Sequence, residues 1–275
     1  MSDIYIHIGL YKTGTSNLQN NLFVNIPNIH YTRLTGSLLM HIKKPIIFDK
    51  LLISNESFTG FPWSEGSMYW NKQYEIAIRN ISILFPTAKI IIGFRDHTSM
   101  ILSLYKQYLQ LGGTKNLDNF FNFSNKGILL IEDLFYEDRV TFLQKHFAPE
   151  NIFIYTQNDL QSNFYQSITC LEKFMNVSLL EYYSKDKSNT NVGVNKIPAR
   201  ILRQLNIINK FLVHFYLPSL NNRFFKSLGI TPRQLCQGVL SNFFKEKLDF
   251  TEDKKKQIKE LYLTDWQFVQ KEKST

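Results

Sequence analysis

Ile4-Tyr5-Ile6-His7-Ile8-Gly9-Leu10-Tyr11-Lys12-Thr13-Gly14-Thr15-Ser16 is the stretch on which the reading of this chain turns. Ile4, Ile6 and Ile8 alternate with Tyr5 and His7, which predicts a strand, and Gly9 ends it in a tight turn. Thr15 to Val24 predicts a helix immediately afterwards. A turn between a strand and a helix presents backbone N–H groups to an anion. Gly9 and Gly14 have the spacing of the G-x-x-x-x-G half of a Walker A loop. The next position departs from it: Thr15 fills the lysine slot, and the loop's cation is Lys12, two residues before Gly14. A nucleotide triphosphatase needs Lys and then Ser or Thr after the second glycine, to reach the terminal phosphates and hold magnesium.

The pattern beyond the loop repeats the strand and helix alternation. Leu51 to Ser54, Lys89 to Phe94 and Asn151 to Tyr155 read as further strands. Lys89 to Phe94 (KIIIGF) is a near-continuous β-branched run, as in a parallel strand covered on both faces. Ser99 to Leu111 and Phe164 to Met175 have helical periodicity. The expected fold is α/β, a P-loop-type parallel sheet flanked by helices. Beyond about residue 195 the strand signals fade. Pro198 to Phe211, Thr231 to Phe244 and Thr251 to Val269 read as helices, the last with Thr251 as N-cap. The expectation is a single domain over 1–275, with 1–195 the nucleotide-binding core and 196–275 a helical C-terminal part.

A chain of 275 residues with 44% hydrophobic content can bury one sizeable core. Its net charge of +9 favours anionic partners. The basic residues are scattered, and the densest run, Lys254 to Lys256, falls on an amphipathic stretch, so nucleic acid is not expected as a partner. Cys170 and Cys236 have no metal-ligand spacing and read as buried thiols of a reducing compartment. The N-terminus has no signal-peptide pattern. The longest apolar run, Ile207 to Leu220, is interrupted by Asn209, Lys210 and His214 and falls short of a membrane span. A cytoplasmic protein is expected, with peripheral contact at a membrane left open and the oligomeric state undetermined.

His7 to Ser16 resembles the 5′-phosphosulfate loop of the sulfotransferases that use 3′-phosphoadenosine 5′-phosphosulfate (PAPS), particularly the bacterial carbohydrate-type branch and its Golgi relatives. Tyr11 stands where that pattern more often has proline. Arg95, at the end of the KIIIGF strand, and Ser103, eight positions on, resemble the same family's 3′-phosphate motif, and a guanidinium fork suits a phosphate. The resemblance implies PAPS as co-substrate, adenosine 3′,5′-bisphosphate as product and no metal. It places Lys12, Thr13, Gly14, Thr15, Ser16, Arg95 and Ser103 on the nucleotide. More weakly, Ser188 to Asn195 resembles the loop that closes over it, with Asn195 as a contact. A lysine beside the bridging oxygen can stabilise the charge that appears as the S–O bond breaks.

Transfer to a hydroxyl or amine also needs a proton acceptor within reach. Glu56, in Ile53-Ser54-Asn55-Glu56-Ser57, resembles the Ser-x-Glu segment of carbohydrate sulfotransferases and is the expected base, with His7, His41 and His97 as rivals. Phe58, Phe61, Trp63, Tyr69 and Trp70 follow Glu56. They suit either core packing or stacking on an acceptor. The family resemblance favours a saccharide or glycoconjugate. The alternatives are a P-loop small-molecule kinase, which the absent Lys-Ser pair disfavours, and a non-catalytic nucleotide-binding protein.

Overall fold

A computed structural model describes residues 3–33, 49–63, 69–184 and 195–274. Five strands, β1 (Asp3–His7), β2 (His30–Thr32), β3 (Lys50–Ser54), β4 (Lys89–Phe94) and β5 (Ile152–Thr156), pair in parallel in the order β2-β3-β1-β4-β5. The chain leaves β1 and adds strands on both of its sides, so the turn after β1 lies at the switch point where α/β sheets bind ligands. Ile90, Ile91 and Ile92 of β4 are all fully buried, so both sheet faces are covered, as that run predicts.

The packing divides the chain into two compact units. The first, Met1–His97, Glu132–Asn189 and Tyr262–Thr275, holds the whole sheet. Its helices include Trp70–Leu84, Tyr136–Gln144, Phe164–Met175 and Leu263–Glu272. On one face of the sheet Tyr5, Leu52, Ile91 and Phe153 pack with Leu18, Leu22, Ile168 and Leu171. The helix expected at Thr15 to Val24 is a composite: α-helical at Thr15–Asn17, π-helical at Leu18–Leu22 and 3₁₀ at Phe23–Asn25. Asn21 Nδ2 donates to Asn17 Oδ1 at 2.6 Å across the widened turn. Such π turns recur beside functional sites.

The second unit, Thr98–Ile131 and Thr190–Leu261, is helical. Asn206 of the helix Lys196–His214 donates from Nδ2 to Leu109 O (2.8 Å) and Gly113 O (2.9 Å). The expected helix Thr231 to Phe244 is two, Pro232–Gln237 and Val239–Phe243, parted at Gly238. Thr251 to Val269 likewise divides at Tyr262. Lys254 N donates to Thr251 Oγ1 at 3.4 Å, the expected cap. Both cysteines are free thiols; Cys236 is buried, but Cys170 is only partly so. Among the described residues no helix is long and apolar enough to cross a membrane.

One polar joint ties the strands together where the first turn begins. His7 is fully buried at the end of β1. Its Nδ1 lies 2.7 Å from Ser54 Oγ, its register partner on β3, and its Nε2 lies 3.0 Å from the Tyr155 hydroxyl on β5. β4 stands between β1 and β5, and Gly93 opens the way across it. A Cβ on Gly93 would sit 2.3 Å from Tyr155 Cζ, so only glycine lets that ring cross. Gln19 Nε2 donates to Ser54 Oγ at 2.9 Å, which brings the composite helix into the joint. Burial pushes the His7 imidazole down to about 3, so the ring is neutral at neutral pH, with one donor and one acceptor nitrogen.

Gly93→Ala is expected to destabilise the fold by about 1–3 kcal/mol through this overlap; an unchanged midpoint in urea would contradict it. His7 also sets a pH dependence. The unfolded chain takes up a proton near pH 6.5 that the folded chain refuses down to about pH 3. Its contribution is therefore complete above pH 6.5 and declines as the pH falls towards 3. Between pH 6 and 4 the His7→Gln variant should lose stability less steeply than the native chain, by up to about 1.4 kcal/mol per pH unit. Equal slopes in denaturation at a series of pH values would rule this out.

Candidate functional site

The turn after β1 rests directly on the His7 joint. A Cβ on Gly9 would meet Thr15 Oγ1 at 2.7 Å and His7 Nε2 at 2.9 Å, so the main chain there lies against the joint with no room for a side chain. Ile8 N donates to Ile91 O, which holds the start of the turn to β4. Thr13 Oγ1 donates to Leu10 O at 2.7 Å and closes the turn on itself. Gly14, at φ 93°, is left-handed, and its carbonyl accepts from Asn17 N and Leu18 N to start the helix. Lys12 is also left-handed, at φ 68°, which is uncommon for a residue with a Cβ. The Thr15 hydroxyl is buried, and its Oγ1 has no hydrogen-bond partner. A tight main-chain cradle and an unsatisfied buried hydroxyl at a strand-to-helix turn fit a bound phosphate or sulfate.

Lys12, Arg95 and Glu56 meet around this turn. Arg95 follows β4, and its Nη1 donates to the Lys12 carbonyl at 3.3 Å. The carbonyl of Arg95 accepts from the buried Tyr136 hydroxyl at 3.0 Å. Glu56 opens the 3₁₀ turn Glu56–Thr59, and the residue before it is held to β1 by Asn55 N donating to His7 O. Burial raises the Glu56 carboxyl above the usual carboxylate range, against the pull of the Lys12 and Arg33 cations. A carboxyl group and a cation thus share one electrostatic environment beside the turn. Arg33, whose charge reaches Glu56, carries no motif that would have marked it in the sequence.

Tyr11, the departure from proline, packs against the segment after Glu56. Its ring lies 5.5 Å from Trp63 and 6.0 Å from Phe61, and its hydroxyl is 3.4 Å from Ser57 Oγ. The aromatic run divides: Trp70 is buried under the Arg139 guanidinium, whereas Tyr69 and Phe61 are exposed. Trp70 therefore belongs to the core.

Of the rival bases, His7 has both ring nitrogens engaged, and His41 lies outside the described residues. His97 is buried between the Tyr136 and Tyr262 rings at 4.4 and 4.2 Å. Its Nε2 donates to Leu134 O (3.0 Å) and lies 2.9 Å from Asp265 Oδ2. Because Leu134 O can only accept, Nε2 carries a hydrogen. His97 thereby fastens the end of β4 to the helix Leu263–Glu272.

Ser103 and Asn195 belong to the second unit. Ser103 lies in the helix His97–Gln110. Asn195 precedes the helix Lys196–His214, and its Nδ2 donates to Phe244 O at 2.7 Å and Ser241 O at 3.4 Å. Its amide nitrogen is thus occupied within that unit. Ser188 to Val194 lie outside the described residues. Among the described residues no cluster of His, Cys, Asp or Glu is arranged to hold a metal ion.

Residues 2–196 match the family profile of the sulfotransferase domain. No curated protein matches the sequence. In structure the chain is similar to a sulfotransferase from Alicyclobacillus acidocaldarius, with a TM-score of 0.51 and 12% identity over 70% of this chain and 87% of that one. It is also similar to mouse sulfotransferase SULT7A1 complexed with PAP, with a TM-score of 0.47 and 13% identity over 96% and 83% of the two chains. The first likeness is one of fold alone, and the second is too slight to carry weight. The family match begins at β1 and ends where the helix after Asn195 begins, and it places this chain among the PAPS-dependent sulfotransferases, as an enzyme of sulfuryl transfer.

Proposed function

We propose that the turn after β1 holds the 5′-phosphosulfate of PAPS and that the enzyme passes the sulfuryl group to a hydroxyl or amine of a saccharide or glycoconjugate. The observation that carries this reading is the convergence of Lys12, Arg95 and Glu56 on one turn. The backbone N–H groups of Thr13 to Ser16 and the Thr15 hydroxyl bind sulfate and phosphate oxygens. The Lys12 ammonium neutralises charge gathering on the bridging oxygen as the S–O bond breaks. Arg95 grips the 3′-phosphate, the role that the resemblance assigns it. Glu56 takes the acceptor's proton as its oxygen or nitrogen attacks sulfur.

The sulfuryl group carries less charge than a phosphoryl group. One lysine and one arginine then suffice, and the reaction runs without a metal ion. The saccharide acceptor is supported by the Ser54-Asn55-Glu56 segment and by the exposed Phe61 and half-buried Trp63, which pack on the buried Tyr11 and whose faces suit sugar rings. Two free thiols support a cytoplasmic setting.

Lys12→Ala should lower turnover of PAPS by about two orders of magnitude or more. Calorimetry should show tight binding of adenosine 3′,5′-bisphosphate and none of ATP with magnesium; the reverse preference would identify a kinase. Arg95→Ala should weaken the bisphosphate without removing residual turnover. The rate should fall on the acid side with an inflection above the ordinary glutamate range, and this limb should vanish in Glu56→Gln while bisphosphate affinity stays unchanged. Loss of that affinity with turnover retained would make Glu56 structural.

A further inference from the structure

The apolar run that is too short to span a membrane has a different use in the folded chain. In the helix Lys196–His214, Ala199, Leu202 and Asn206 are buried, while Ile207, Phe211 and Phe215 form an outward stripe at intervals of four residues. The Phe211 and Phe215 rings lie 4.5 Å apart, tilted by 48° to each other. The turn beyond the helix carries Tyr216, 98% exposed, and the exposed Leu217. Asn209 Oδ1 ties that turn back to the helix, accepting from Ser219 Oγ at 2.9 Å and Leu220 N at 2.7 Å. The short helix Arg223–Ser227 then presents Phe224, 65% exposed. A capping box of Thr231 and Gln234 starts the return helix Pro232–Gln237. The tip is therefore a built hairpin whose large apolar side chains face outward.

Its charge is one-sided. From Lys196 to Lys245 the sequence holds eight Lys or Arg and no Asp or Glu. Lys210, Arg223 and Lys226 lie among the exposed apolar residues of the tip and are themselves exposed. Patches of contiguous exposed apolar side chains mark interaction sites. We propose that this tip docks on an anionic lipid surface, with Phe211, Tyr216 and Phe224 entering the headgroup layer and the surrounding Lys and Arg pairing with lipid phosphates. Apolar insertion with a basic surround is the pattern of helices that lie in a membrane interface. A second copy of the same face is a poorer occupant, because a two-fold contact would set these cations against each other with no acid to pair them. The inference is independent of the sulfuryl-transfer reading, and each can fail without the other.

The test is sedimentation of the full chain with vesicles of phosphatidylcholine alone and of phosphatidylcholine with phosphatidylglycerol. Binding to the anionic vesicles only is expected. Phe211→Ser with Phe224→Ser should reduce it about tenfold or more. Lys210→Gln with Lys226→Gln should weaken it and leave what remains less sensitive to salt near ~0.15 M. Unchanged thermal melting of both variants would establish that the fold survives. The proposal is overturned by equal binding to both vesicle types or by none. Light scattering that shows a dimer dispersed by the phenylalanine substitutions would reassign the tip to self-association and overturn it as well.

Discussion

The hydrogen bonds of one buried imidazole govern the geometry of the carboxyl end of the sheet, where the first turn begins. His7 is the last residue of the central strand, and its two nitrogens reach the strand on one side and, across a glycine, the strand two places away on the other. A buried polar group is costly unless satisfied, so the ring binds its partners at fixed distances. The turn that follows lies against this ring with no room for a side chain at Gly9. The position of the main chain in this turn is thus set from beneath by polar contacts, while the surrounding apolar core supplies the bulk of the stability.

Much of the sheet was legible because β1, β3, β4 and β5 are apolar runs, β4 strongly β-branched, whose burial matches their composition. The edge strand β2 was not, since His30-Tyr31-Thr32 is three residues of mixed polarity that gain strand form from pairing with β3. The helix Tyr136–Gln144 escaped because its buried face contains Arg139, a charge that reads as solvent-facing until Trp70 and Tyr74 are seen beneath it. Trp70 was grouped with an aromatic loop, though it is the first residue of a helix and lies in the core.

At the site, the loop was legible from glycine spacing and the displaced lysine. The joint beneath it was not. Ser54 and Tyr155 stand 47 and 148 positions from His7, and no local pattern announces either partner. Gly93 was visible inside the KIIIGF run, but as an interruption; its purpose depends on a ring arriving from another strand. Short motifs report on groups that a single turn of chain brings together, and they are silent on groups that the sheet brings together.

Lys12 carries a further implication through its backbone. The left-handed conformation suits glycine, and a side chain with a Cβ occupies it at an energetic cost of order 1–3 kcal/mol. The turn would rest more easily with glycine at this position. Under the proposed reading the residue that supplies the cation is also the one that strains the turn, which sets reactivity against ease of folding at a single position.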